Sequence, residues 1–297
     1  MNISVVLSSI EQGLVYAIMA LGVYLTFRIL DFPDLTVDGS FPLGAAVGAK
    51  LIVSGWNPVL AIIVASLCGL LAGVLTGILN TKLKITGLLS GILTMTALYS
   101  INLRVMGRAN ISLLGSNKIF ELLTDLGLSE GTSTFIFFLL VVVIVKLVID
   151  WFLKTEVGLA LRATGDNKQM VRSLGVNTDL TVILGLGLSN ALVALSGALV
   201  AQYQGFTDVK MGIGMIIIGL ASVIIGEAII RNTNIKWATL GVVLGSLIYR
   251  LVITMALRMR LNPNDLKLIT AILVIVALGA PAIKEQFSFR KLERGVN

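Results

Sequence analysis

The sequence has 297 residues, 56% of them hydrophobic and 13% charged, and its mean hydropathy of +0.96 excludes a water-soluble globular domain. It has no histidine and a single cysteine, Cys68, which excludes His-based zinc sites, haem ligation through His, histidine triads and an intramolecular disulfide. The net charge of +7 is read as a record of membrane orientation, because Lys and Arg collect in cytoplasmic loops, and not as nucleic-acid binding.

Apolar runs that approach or exceed the ~20 residues needed to cross a bilayer recur too often for a signal peptide ahead of a soluble domain. The length rule predicts an all-α polytopic protein, one transmembrane domain over 1–297, with about nine spans. They fall at roughly 8–30, 35–53, 58–80, 86–106, 132–153, 181–204, 212–230, 236–257 and 264–282. The segments 35–53 and 212–230 are short and rich in glycine. Placing the polar stretch 154–180 in the cytoplasm puts the larger share of the Lys and Arg inside, from Arg28 and Lys82 to Arg290 and Arg294. That bias favours N-terminus out and C-terminus in.

Span one runs into Arg28 and then Asp31-Phe32-Pro33-Asp34-Leu35-Thr36-Val37-Asp38-Gly39. Pro33 lacks an N–H and disfavours helix at the residue before it. Three carboxylates this close cannot sit in lipid, so the second span has a broken entrance that is wet or buried in protein. Two readings stand: a short cytoplasmic turn, or the inner mouth of a pathway. Span four ends at Arg104 and Arg108, and 107–131 is the longest outer segment. Within it, Ile119, Phe120, Leu122, Leu123 and Leu126 beside Lys118, Glu121 and Asp125 predict a helix on the membrane surface. Arg258 and Arg260 also fall outside, against the usual bias. Together with Arg104 and Arg108 they are either a docking ring for an acidic partner or side chains snorkelling to lipid phosphate. Lys146 interrupts an apolar run, but Asp150 and Lys154 follow at intervals of four, a charge ladder along one helix face. That structural reading is preferred to a proton relay.

The polar island 154–180 carries its own helix punctuation. Asp166 and Gln169 have capping-box spacing, and Gly175 sits where a helix stop wants left-handed dihedrals. Met170, Val171 and Leu174 form one apolar stripe, so the island is read as two short helices outside the membrane. The sixth span follows, with Ser189, Asn190, Ser196 and Gly197 suited to close helix packing. Asn190 is a mid-span amide that needs a partner or a pore. The 212–226 segment shares its glycine content and an Asp-Val opening (Asp208-Val209) with the Asp34-Leu35 opening of the second span. Paired glycine-interrupted segments in the two halves point to a transporter's central pathway. The polar, basic tail 284–297 is read as a cytoplasmic end attracted to anionic lipid.

Glu156-Val157-Gly158-Leu159-Ala160-Leu161-Arg162-Ala163, then Asn167, then Leu174-Gly175-Val176-Asn177-Thr178 resembles the cytoplasmic loop of permeases of the branched-chain amino-acid and ribose ABC importers. The similarity continues through Ser196-Gly197-Ala198-Leu199, the 212–226 segment and the opening span from Gly13 to Leu30. The resemblance implies a coupling region that docks on a separate ATPase subunit, comprising Glu156, Gly158, Arg162, Asp166, Asn167, Lys168, Met170, Val171, Leu174 and Gly175. It implies a bacterial membrane subunit working as a homo- or heterodimer with two ATPase subunits and an external binding protein. No GxxxxGK[ST] loop is present, so ATP belongs to the partner and this chain carries no cofactor. The implied cargo is an amino acid, branched-chain or aromatic, with sugars and nucleosides as alternatives. Asp38, Ser40, Phe41 and Asn190 are the expected pathway residues, and Arg104, Arg108, Arg258 and Arg260 the expected binding-protein contacts. An ion-coupled transporter or channel is the competing class, weakened because the only intramembrane ionisable groups are Lys146 and boundary carboxylates. A membrane-embedded enzyme is weaker still.

Overall fold

The computed structural model describes residues 3–115, 119–120, 130–230, 234–258, 268–272 and 275. Its helices are α1 (Ile3–Tyr24), which continues as a π-helical turn over Leu25–Ile29, α2 (Val37–Val53), α3 (Pro58–Thr81) and α4 (Gly87–Met106). They are followed by α5 (Glu130–Phe152), α6 (Glu156–Asp166), α7 (Lys168–Ser173), α8 (Thr178–Gln204), α9 (Met215–Ile229) and α10 (Ile235–Arg258). Two three-residue strands, β1 (Asn110–Ser112) and β2 (Phe206–Asp208), pair antiparallel with Ile111 opposite Thr207.

Six of these helices, α1 with its π-turn, α3, α4, α5, α8 and α10, are long and apolar enough to cross a membrane. Against the expectation of about nine spans, some of them broken, stand six such helices among the described residues. The segments expected at 35–53 and 212–230 fold as shorter helices, α2 of 17 residues and α9 of 15. The cause lies at their starts. Residues 31–34, with Pro33 among them, form no helix and a turn follows at Leu35 and Thr36, and Gly212 and Gly214 hold the turns ahead of Met215, with Gly214 at φ +88°. The ninth segment, 264–282, lies largely outside the described residues, as do Arg260, the basic tail and all of the expected surface helix except Ile119 and Phe120. Those two are buried, with Phe120 edge-to-face against Phe137 and Phe138.

α8 is the axis of the bundle and is hidden from lipid along most of its length because its neighbours approach at backbone distance. A Cβ on Gly44 of α2 would lie 2.0 Å from the Ala194 carbonyl oxygen, and one on Gly73 of α3 would lie 2.1 Å from that of Leu186. A Cβ on Gly197 of α8 itself would lie 2.0 Å from the Phe41 oxygen. Such contacts suit a membrane interior, where dispersion and not the hydrophobic effect brings helices together and small residues maximise it. The outer faces of α3 and α5 are the reverse. Leu60, Ile63, Leu67 and Leu71, like Leu140, Ile144, Leu147 and Val148, are exposed at helical spacing and suit contact with acyl chains.

Contacts fix the relative directions. α2 runs parallel to α8, since Ser40 meets Asn190 and Gly48 meets Ala198. α1 is antiparallel to α8, Ser189 donating to the Gly22 carbonyl and Ser196 to that of Val15. α10 is antiparallel to α1 through Ser246 to Gly13 and Ser9 to Thr254. α9 is antiparallel to α10, with Gly226 against Gly241 and Gly245 against Ser222. It follows that α2 and α9 run in opposite directions.

Candidate functional site

The N-terminal ends of these two short helices meet. Asp38, in the first turn of α2, accepts hydrogen bonds from the backbone N–H groups of Gly214 (2.9 Å) and Ile216 (2.8 Å) at the start of α9. A carboxylate is well suited there, because the first N–H groups of a helix have no partner in their own helix and the dipole end is positive. Gly212 makes the approach possible, since a Cβ there would lie 2.0 Å from the Asp38 carbonyl oxygen. Beside this junction lies a cavity of about 290 Å³, lined among others by Asp38, Pro42, Met95, Tyr99, Asn102 and Ile213.

Behind the cavity a buried polar seam ties the broken entrance of α2 to α8. Asn190 donates to the Asp34 carboxylate (2.7 Å) and to the Leu186 carbonyl, and its amide oxygen accepts from Ser40 (2.7 Å). Asp34 also accepts the Thr36 N–H at 2.9 Å. The Thr36 hydroxyl continues the chain to Thr76 (2.8 Å), and Thr76 donates to Thr94 (2.9 Å), so α3 and α4 are stitched to the same point. Phe41 is fully buried and stacks on Tyr16 with ring centroids 6.1 Å apart. Of the four expected pathway residues, Asp38 alone lines the cavity. Ser40, Phe41 and Asn190 are buried in the wall, and the mid-span amide has protein partners. Asn102, Met95, Tyr99 and Ile213 were not anticipated. The signal for the three on α4 is the run of Thr94, Thr96, Tyr99, Ser100 and Asn102 in an otherwise apolar span; Ile213 has no such signal.

The island folds as α6 and α7. Thr155 caps α6 by accepting from the Gly158 N–H (3.3 Å), and Gly158 itself sits flush on the preceding turn, where a Cβ would lie 2.1 Å from the Phe152 oxygen. The capping-box assignment to Asp166 is corrected. Asp166 closes α6, and Asn167, at φ −152°, is the cap of α7, its side-chain oxygen accepting from the Met170 N–H at 2.9 Å. Gly175, at φ +85°, stops α7, with the Gly175 N–H bonded to Arg172 O and the Val176 N–H to Val171 O. Glu156, Asp166 and Lys168 are exposed and Arg162 is half-buried. The apolar stripe divides: Val171 is buried at 2% exposure, whereas Met170 and Leu174 are 49% and 72% exposed. Arg172 pins the unit to α8 through Asp179 (2.8 Å) and Thr178 (2.7 Å).

α6 also touches the end of the first span. A Cβ on Gly165 would lie 2.0 Å from the Ile29 oxygen, at the last residue of the π-turn. An open groove of about 730 Å³ lies between them, with Arg28, Asp31, Arg162 and Asp166 on its walls. Arg28 pairs with Glu227 of α9 at 2.7 Å, so the ends of α1, α9 and α6 converge at this face. Arg104 lies in the last turn of α4, Arg108 just beyond it, and Arg258 ends α10; all three are exposed. By the helix directions they lie on the face opposite the island. Lys146 pairs with Asp150, which also accepts from Thr239 of α10 at 2.7 Å, while Lys154 is exposed. The first rung of the ladder therefore forms and joins α5 to α10.

The sequence profile described as branched-chain amino acid transport system / permease component matches residues 5–279. The chain is 46% identical over 273 residues to the tyrosine transport system permease protein of Clostridioides difficile (strain R20291), covering 92% of this chain and 90% of that protein. It is 36% identical to an uncharacterised protein of Rickettsia prowazekii (strain Madrid E), over 93% of this chain and 98% of that one. At 28% identity it matches the galactofuranose transporter permease of Escherichia coli (strain K12), over 62% of this chain and 52% of that protein.

Proposed function

The chain belongs to the permease-component family of branched-chain amino acid transport systems, and from that premise we propose that it forms the translocation path of an ATP-driven amino-acid importer, with an aromatic amino acid as cargo. The observation that carries this reading is the 46% identity along 92% of the chain to a tyrosine transport permease. The sugar-permease relative is more distant and covers less of the chain. The Lys146–Asp150 pair ties α5 to α10 and is a structural ion pair, not a coupling-ion site.

In this reading two copies of the chain, or this chain and a similar one, face each other across the path, and the Asp38 cavity opens onto it. ATP hydrolysis belongs to separate ATPase subunits that grip α6 and α7. A binding protein outside docks against the face carrying Arg104, Arg108 and Arg258, so the N-terminus is outside and the C-terminus inside. α7 is short, capped at Asn167 and stopped at Gly175, so it moves as a rigid body. Gly165 would transmit that movement to the π-turn by direct backbone contact.

The test is reconstitution in vesicles with an ATPase subunit and a binding protein from the same genome. ATP-dependent uptake of labelled L-tyrosine or L-leucine, with none of ribose, is the expected result. Uptake of ribose alone would move the cargo to the sugar class, and solute flux without ATP would remove the importer reading.

A further inference from the structure

The cavity at the α2–α9 junction has a chemistry of its own. Asn102 is fully buried, and its amide nitrogen donates to the Gly39 carbonyl at 3.2 Å. Its amide oxygen has no hydrogen-bond partner among the described residues. Turning the amide over would set oxygen against the Gly39 oxygen, so the hydrogen-bond network fixes the orientation with the acceptor unmatched. A buried amide oxygen left unpaired is costly, and native proteins carry few of them, so one beside a cavity calls for a donor. Asp38 brings a carboxylate to the same cavity, and none of the lining residues is cationic. The Thr96 hydroxyl donates to the Ile92 carbonyl at 2.8 Å, which leaves its lone pairs as acceptors. The remaining wall is apolar and aromatic: Met95, Tyr99, Pro42 and Ile213. At about 290 Å³ the space suits one small solute and not a peptide.

We propose that this cavity is a binding site within the permease for a primary ammonium group carried on an apolar or aromatic body, with Asp38 and Asn102 receiving the ammonium and Met95 and Tyr99 flanking the body. The inference rests on the amino-acid reading above and adds to it a selective step inside the membrane subunit. The physical logic is that of a site built to accept hydrogen bonds: an analogue lacking the donor leaves buried acceptors unpaired and is rejected far more strongly than one differing by a methylene. The ring of Tyr99 adds a face for an aromatic body or for the cation itself.

The experiment uses the complex of permease and ATPase subunits in nanodiscs, without binding protein. Calorimetry measures binding of L-tyrosine, tyramine and 3-(4-hydroxyphenyl)propionate, which separate the ammonium from the carboxylate. Tyrosine and tyramine should bind and the propionate should not. Asn102→Leu should weaken binding by about tenfold or more, the scale of one hydrogen bond to a charged group, and Tyr99→Ala by roughly threefold to tenfold, the scale of one aromatic or cation–π contact. Tyr99 is half-exposed, so its variant tests the site even if the buried Asn102 variant fails to assemble. The proposal is overturned if the wild-type complex binds neither ammonium probe at millimolar concentration, if the propionate binds as well as tyramine, or if binding is unchanged in the folded variants. Retained tyramine binding in a complex that takes up no amino acid would overturn the cargo assignment and leave the site standing. Amino-acid uptake without tyramine or tyrosine binding would do the reverse.

Discussion

If α7 is where the ATPase grips, its exposed apolar residues carry a cost that can be worked out. Met170 on the six-residue α7 and Leu174 at its C-terminal cap are 49% and 72% exposed. Full burial of such a side chain is worth about 1.5–3 kcal/mol. Scaled by what is still exposed, covering the two in a cleft on the ATPase yields about 2–4 kcal/mol for each permease copy. Replacing both by Asp forfeits that gain and asks the cleft to desolvate two carboxylates, so association should weaken by at least about thirtyfold. The permease itself should be unaffected, because neither side chain is buried within it. Val171 is the contrast. At 2% exposure it packs inside the island, so Val171→Asp should unfold α7 and lower the melting temperature of the isolated permease. The assays are recovery of ATPase subunits on affinity-tagged permease and ATP-dependent uptake in vesicles. Full association and uptake in the Met170→Asp/Leu174→Asp variant would refute the grip at α7.

Asp38→Ala leaves the first N–H groups of α9 without an acceptor and should cost about 1–2 kcal/mol, read as a lower melting temperature in detergent. Gly44→Ala should cost far more, because its Cβ would fall 2.0 Å from a backbone oxygen of α8; Gly131→Ala, with nothing within 4 Å, should be neutral in the same scan. Lys146→Met should destabilise by about 3 kcal/mol by stranding the buried Asp150 carboxylate, and the double variant Lys146→Met/Asp150→Leu should recover most of that loss. Reversing Arg104 and Arg258 to Glu should reduce ATP turnover stimulated by the binding protein and flatten its salt dependence; unchanged stimulation would assign these side chains to lipid phosphate.

The spans with long apolar runs, such as 58–80 and, despite Lys146 and Asp150, 132–153, are legible because length against bilayer thickness decides them. Length alone could not show that α2 and α9 begin part-way, since a broken entrance and a surface turn have the same composition until a partner is seen. Asp34 and Asp38 illustrate this: one is sealed in a hydrogen-bonded seam and the other caps a distant helix, and neither role leaves a local mark. In the island, Asp166 and Asn167 are adjacent and both are good caps. The choice fell to Asn167 only because α6 runs through Asp166. The stripe of Met170, Val171 and Leu174 was readable as apolar, but periodicity cannot say which of three neighbours faces inward. Asn190 needs a partner or a pore by sequence alone, and two of its partners, Ser40 and Asp34, lie 150 and 156 residues away in sequence. The stop at Gly175 was local chemistry and was readable as such.

The glycine contacts along α8 constrain how such a protein can move. Gly44, Gly73 and Gly197 each face a particular backbone oxygen with no space for a Cβ. Slipping α2 along α8 by one residue would bring Leu43 or Ala45 to the place of Gly44, and slipping α3 would bring Ala72 or Val74 to that of Gly73. The three helices therefore have no sliding degree of freedom and behave as one frame, like cogs cut for a single tooth. Gly226 and Gly245 lock α9 to α10 in the same way, so relative motion is left to contacts made by side chains or caps, which can part and re-form: Asp38 at the start of α9, and the Arg28–Glu227 pair at its other end. The 15-residue α9, pinned at both ends by a carboxylate and carried together with α10, is the part of this bundle able to pivot while the frame stays still.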